Sequence, residues 1–379
     1  MEKKDVQILA KNLVNYSIHL QKGEKVLIEG SPLCLDLILE IIKEVYKVGA
    51  YPFINYSENR ITRELLKGTT EEHIDLMTKY MKPKMEDMDA YIGINATNNI
   101  FELNDVDISN KELYIKKYSK PIHSDIRVPN TKWVILKYPT SGFAQQSNKS
   151  LEEFEDFFFK VCNLDYSKMN DAMENLKVLM EKTDKVRIVA QDTDLTFSIK
   201  GIPAIKCAGE MNIPDGEIYT APVKDSVNGY IHYNAVTIHN GIKFNNIKLY
   251  FENGKIIKCE TGENQKELEK IFDIDEGAKF VGEFAIGVNP YITEPMTDIL
   301  FDEKITGSIH FTPGASYDDA FNGNKSALHW DLVLIQTKEY GGGEIYFDDK
   351  LIRKDGLFVE PTLLCLNPEN LIAWCCMLF

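Results

Sequence analysis

Residues 307–331, GSIHFTPGASYDDAFNGNKSALHWD, gather His310, Tyr317, His329 and Asp331, side-chain types that bind divalent cations and stabilise oxyanions. If ITGSIHF is a strand, its period of two places Thr306, Ser308 and His310 on one face and Ile305, Ile309 and Phe311 on the other. In ALHWDLVLI the same arithmetic sets His329 beside Asp331, roughly 6.5 Å apart along the strand, with Leu328, Trp330 and Leu332 opposite. An imidazole and a carboxylate so placed can hold one divalent ion. A histidine hydrogen-bonded to an aspartate is also an ordinary device of protein cores and needs no metal. Concentration tips the balance toward ligation: the chain has only seven histidines, and two fall in this polar, glycine-bearing stretch.

One histidine and one aspartate leave coordination positions empty, and hard divalent ions take oxygen ligands. Two upstream carboxylates extend the set. Glu217 follows a Pro214-Asp215-Gly216 turn and opens a strand in GEIYTAP, which puts it at a strand mouth where catalytic groups gather. Glu283 stands in VGEFAIGVNP among Val281, Phe284, Ala285 and Ile286. A carboxylate buried in such company must meet a cation or hold a proton. Taken one at a time, each is equally a surface or ion-paired glutamate.

The stretches NIPDGEIYTAP, VGEFAIGVNP, ITGSIHFTPGASY and NKSALHWDLV occur in that order, and the ordered set resembles the M29 family of metallo-aminopeptidases, the aminopeptidase T and S group. The likeness extends over most of the chain, including the amino-terminal half and LNPENL at residues 366–371. Carried over position by position, it implies metal ligands Glu217, Glu283, His310, His329 and Asp331, with Tyr317 as a catalytic tyrosine. It further implies two divalent ions, with zinc, cobalt, manganese and magnesium as candidates, and release of amino-terminal residues from short peptides. A homodimer whose amino-terminal domains help wall off the catalytic cavity belongs to the same resemblance.

That chemistry accounts for the residue types. Peptide hydrolysis at neutral pH needs a nucleophile and a means of holding charge on the carbonyl oxygen. Two metals about 3.5–4 Å apart supply both, by acidifying a shared water and polarising the carbonyl. Five ligands suffice if one carboxylate bridges, and the bridge falls to Glu217 or Asp331, with the choice open. Glu283 is a ligand first and a candidate general base second. Tyr317 is one of 18 tyrosines and by residue type an ordinary loop aromatic. The resemblance gives it the task of donating a hydrogen bond to the developing oxyanion. Two rival readings stand beside this one. A two-metal phosphoesterase uses similar ligands but wants cations near the metals for its phosphate, and the surrounding segments supply only Lys224, Lys304 and Lys325. A metal-stabilised peptide-binding protein would hold peptide without cleaving it.

Bulk properties bound the rest. With 379 residues and 44% hydrophobic content the chain can bury a sizeable core, most readily as two domains. A formal net charge of −15 argues against nucleic acid or an anionic membrane as partner. The amino terminus, MEKKDVQILAKNLVNYSIHL, is amphipathic and lacks the apolar core of a signal peptide, and no stretch of about 20 apolar residues occurs. Seven cysteines scattered without CxxC spacing read as reduced thiols. A cytoplasmic location is therefore expected.

The elements that must carry the site divide into two textures. KVLIEG, a helical LDLILEIIKEVYKVG, YPFINY, DAYIGI and KWVILKYP form a βαβ rhythm, predicting an α/β domain with a mainly parallel sheet. Gly30 follows its first strand, but GSPLC has neither GxGxxG nor a P-loop lysine, so no nucleotide cofactor is expected. Residues 151–182 read as a helical bridge. After Lys185 come short alternating strands with turns at Gly201, Asn240-Gly241, Asn253-Gly254 and Asp348-Asp349, predicting a mixed, barrel-like β-rich domain that carries the metal site. The expected domains are residues 1–184 and 185–379. The apolar, cysteine-bearing residues 372–379 fit no pattern.

Overall fold

The computed structural model describes residues 3–376. The chain folds as two compact units, Met1–Asn163 with Gly209–Pro214, and Leu164–Ala208 with Asp215–Phe379. The division at Asn163 precedes the boundary expected at 184/185. The cause lies in the expected bridge, which is two helices, Leu151–Cys162 and Tyr166–Lys182, one in each unit. Residues 209–214 make a second departure, since Asn212–Ile213 pairs as a strand with Lys132–Lys137 of the first unit. Two residues are too short for a periodicity signal. The unplaced residues 372–379 extend beyond the described residues.

The first unit is a five-stranded, wholly parallel sheet in the order Tyr51–Tyr56, Lys25–Gly30, Ala90–Asn95, Lys132–Lys137, Asn212–Ile213. Crossover helices account for the pattern. Leu35–Val48 buries Leu37, Ile38, Ile41 and Val45 at helical spacing and stops at Gly49, whose φ of 82° is a left-handed C-cap. The α/β expectation for the amino-terminal half is met.

The second unit contains an eight-stranded and a five-stranded sheet, both antiparallel, and a two-stranded ribbon. Among the described residues neither large sheet closes on itself, so two open sheets replace the barrel-like form expected. The Asn-Gly turns do reverse the strands, with φ of 51° and 80° at Asn240-Gly241 and 49° and 83° at Asn253-Gly254, as hairpins require. An aromatic core joins the sheets. Phe197 of the larger sheet lies 5.0 Å from both Phe284 and Phe311 of the smaller one, and Tyr233 donates its hydroxyl to the Phe311 carbonyl at 2.9 Å. The smaller sheet runs in the order Val333–Ile335, Ser308–Pro313, Val281–Gly287, Glu217–Thr220, Ile205–Cys207. Ile218, Phe284, Ile286, Ile309 and Phe311, one face by strand alternation, are buried. The other face carries the chemistry.

Candidate active site

Strand register brings the separated carboxylates and histidine together. Glu217 pairs with Gly287, Ala285 with His310, and Glu283 with Thr312, so period-two alternation sets Glu217, Glu283 and His310 on one face. Their exposures are 5%, 3% and 1%. His329 and Asp331 lie just ahead of the Val333–Ile335 strand rather than inside it, and the His329 backbone forms an isolated bridge to Gly314. The alternation survives without a ladder. Leu328, Trp330 and Leu332 are buried, and His329 Nε2 stands 3.3 Å from Asp331 Oδ1.

All five residues expected as ligands converge, in two overlapping groups. Glu217, Glu283 and His310 offer donor atoms within 4.8 Å of one another, as do Glu283, His329 and Asp331. Glu283 belongs to both. Its Oε1 lies 3.0 Å from His310 Nε2 and its Oε2 lies 3.3 Å from His329 Nε2, so the carboxylate common to both groups is Glu283, beside Glu217 and Asp331 at which the bridge was expected.

The donor set fits divalent cations on an independent count. Glu217 Oε2, His310 Nδ1 and His329 Nε2 are buried and make no hydrogen bond, a costly condition unless something else satisfies them. His310 Nδ1 is 3.5 Å from Glu217 Oε2, and His329 Nε2 is 3.3 Å from both Glu283 and Asp331. Two ligand atoms about 2.0–2.1 Å from one tetrahedral ion stand about 3.3–3.4 Å apart, so these are separations of a coordination shell. The outer partners agree. His329 Nδ1–H donates to the Ala315 carbonyl at 2.7 Å, leaving Nε2 with its lone pair toward the site, and Thr312 Oγ1 donates to Asp331 Oδ1 at 2.7 Å. Gly282 makes the first of these possible, since a Cβ there would lie 2.1 Å from Ala315 O.

Electrostatics in the chain alone reflect the crowding of acids. Burial would lower His329, but Asp331 and then Glu283 push it up to about 11. His310 is raised against burial by Glu217 and Glu283. Burial would raise Glu283 and Asp331, but the imidazoles hold both below their usual range, whereas burial leaves Glu217 raised despite Lys304 and His310. The acids thus raise the affinity of both imidazoles for positive charge, for which a metal and a proton compete.

Tyr317 stands at the open side, 49% exposed. Its ring centroid is 4.7 Å from that of His329 and 5.5 Å from that of Tyr219, whose hydroxyl donates to Asp319. Sequence reasoning missed Thr312, although the arithmetic that placed His310 also places a residue two positions on. It also passed over Tyr219, Cys207, Asp215 and the burial of Lys304, which only the pairing of distant strands reveals.

Comparison with known proteins agrees with this geometry. A family profile described as thermophilic metalloprotease (M29) matches residues 2–348. Aminopeptidase AmpS of Bacillus subtilis (strain 168) is 24% identical, the match covering 84% of this chain and 86% of that protein. The structure of wild-type AmpT from Thermus thermophilus superposes with a TM-score of 0.81 at 19% identity, covering 94% of this chain and 99% of that one. The structure of 2,5-dihydroxypyridine dioxygenase from Pseudomonas putida KT2440 reaches a TM-score of 0.59 at 13% identity, covering 96% and 99%. One fold thus carries unrelated reactions, and the site must decide between them. The family match spans most of the sequence, and the chain belongs to the M29 family of thermophilic metalloproteases.

Proposed function

We propose that this metallo-aminopeptidase releases amino-terminal residues from short peptides with two divalent ions, zinc, cobalt, manganese or magnesium, one held by Glu217, Glu283 and His310 and the other by Glu283, His329 and Asp331. The observation that carries the reading is the pair of donor groups joined through Glu283. When bound, such a pair acidifies water and polarises the scissile carbonyl. The chain's own residues do the rest. Ala315 and Thr312 fix the orientation of His329 and Asp331. Tyr317, beside His329 and open to solvent, donates its hydroxyl hydrogen bond to the oxyanion as it forms. The covered part of the ring and the neighbouring acids Glu283, Asp331 and Glu217 hold the Tyr317 pKa above its usual value, which favours the protonated, donating hydroxyl.

The lysines weighed for a phosphoesterase are already engaged. Lys304 is buried against Glu217, and Lys224 and Lys325 lie over the rings of Phe280 and Phe321. A homodimer and a preference for short peptides complete the proposal.

The test is hydrolysis of amino acid p-nitroanilides and short peptides before and after chelation. Exopeptidase turnover should vanish and return with added metal. Tyr317→Phe should lower kcat by roughly 10²–10³-fold, the effect of removing one oxyanion donor, with metal content retained. Turnover indifferent to chelation sinks the reading, and an active Tyr317→Phe enzyme removes the tyrosine from it.

A further inference from the structure

Beside the two donor groups lies a third. Cys207, Asp215 and Glu217 also offer potential ligand atoms within 4.8 Å of one another. Cys207 and Glu217 are direct partners in the strand ladder, and Asp215 precedes Glu217 by two residues in the turn that opens its strand. By composition alone this would be a further metal site.

Lys304 enters the same place. Its side chain is 0% exposed, and its Nζ lies 3.3 Å from Glu217 Oε1 and also contacts the Glu303 carboxylate. The backbone is built to deliver it there. Lys304 follows the short helix Ile299–Asp302, its N–H bonding back to the Phe301 carbonyl at 3.0 Å. Its own carbonyl accepts from Asn289 N–H at 3.0 Å, while the Asn289 side-chain amide donates to the Asp215 carbonyl at 2.6 Å. One asparagine therefore ties the lysine's backbone to the acidic turn. Gly287, the ladder partner of Glu217, lets the lysine segment lie against the strand, since a Cβ there would meet Ile305 O at 2.4 Å and the Lys304 carbonyl carbon at 3.0 Å.

We propose that the Lys304 ammonium is the resident cation of the Cys207/Asp215/Glu217 group, and that by engaging Glu217 Oε1 it reserves Oε2 for a divalent ion and limits the centre to two metals. The inference rests on the two-metal reading above. A buried carboxylate cluster needs positive charge nearby. A covalently attached ammonium supplies it permanently and blocks a third ion, whereas Glu217 Oε2, buried, unbonded and facing His310 Nδ1 at 3.5 Å, keeps its lone pairs available. Lys304 is thus a positioning residue, acting through Glu217.

The test counts metal, so it does not depend on activity. Chelated protein is reconstituted with zinc or cobalt, and bound equivalents are measured by plasma mass spectrometry and calorimetry. Cys207→Ser, with Lys304 intact, should bind as many equivalents as the parent chain. Loss of one equivalent would mean that the thiol is a metal ligand and would overturn the proposal. Lys304→Ala should gain one equivalent, and the double variant Lys304→Ala/Asp215→Asn should fall back to the parent count. A folded Lys304→Ala chain with an unchanged count also overturns it, and if that variant does not fold, the Cys207→Ser count decides. A parent chain that binds fewer than two equivalents instead refutes the two-metal reading itself.

Discussion

Glu29 in the first unit is a half-buried carboxylate and Glu283 in the second a buried one, and the company each keeps is opposite in sign. Glu29 stands alone. The Asn55 amide donates to it at 2.8 Å, Lys84 and Arg127 lie within electrostatic reach, and the Arg127 guanidinium rests over the rings of Tyr91 and Trp133 at 5.2 and 4.5 Å. Burial, the dominant influence, raises its pKa, and the protein's own side chains satisfy what charge remains. Glu283 shares its face with Glu217 and lies beside Asp331, and Lys304 is taken up by Glu217 and Glu303. A single half-buried acid can be accommodated internally, whereas three converging buried acids require cations from outside.

Exchanging each carboxylate for its amide breaks or sharpens that contrast most directly. Glu283→Gln removes a ligand from both donor groups, and should abolish tight binding of both metals and lower kcat/KM by about 10³-fold or more, several kcal/mol of lost charge stabilisation. Glu29→Gln should leave kcat/KM within about twofold and change stability by no more than about 1 kcal/mol. Metal content and kcat/KM measured side by side decide the matter. Equal effects in the two variants would erase the distinction.

A smaller effect is expected at Gly282, where nothing ionisable changes. An alanine Cβ would push on the Ala315 carbonyl that orients His329. Losing such an outer partner typically weakens a metal site by about 10–100-fold. Calorimetric titration of Gly282→Ala should show that loss at one of two sites, with the other retained. A uniform loss at both would mean that the glycine supports the sheet rather than the histidine.

What the sequence made legible follows from how local each signal is. The parallel strands of the first unit are continuous apolar runs, and the Asn-Gly reversals of the second specify their own left-handed backbone, so both can be read within a few residues. His310 and the His329/Asp331 pair were placed by period-two alternation, which held even where His329 sits ahead of its strand. Glu217 and Glu283 were identified through their motifs. That Glu283 is the shared carboxylate depends on the ladder Glu217–Gly287 and Ala285–His310, a pairing of strands far apart in the chain that no local pattern encodes. Lys304 was counted among the lysines near the site, but its burial escaped for a related reason: only its approach to the distant Glu217 shows that its ammonium is enclosed.

The histidines extend the same contrast to pH. His329 is pushed up by the acids around it, whereas His123 in the first unit is lowered to about 4, first by burial and then by the positive charge of Arg127. Its ring packs edge-on against Tyr91, with centroids 5.9 Å apart. The native state thus holds His123 neutral, while the unfolded chain protonates it near its ordinary value of 6.5. Its contribution to stability is complete above pH 6.5 and is lost as pH falls through about 4. Because the ring is only partly buried, solvent screening limits that contribution to about 1 kcal/mol. Thermal unfolding of the parent chain and of His123→Gln should show the parent's Tm falling faster between these limits. The difference should be a few degrees, about what 1 kcal/mol gives in a unit of this size. Parallel pH profiles would mean that the imidazole titrates as freely in the fold as out of it, and that neither burial nor Arg127 opposes its protonation.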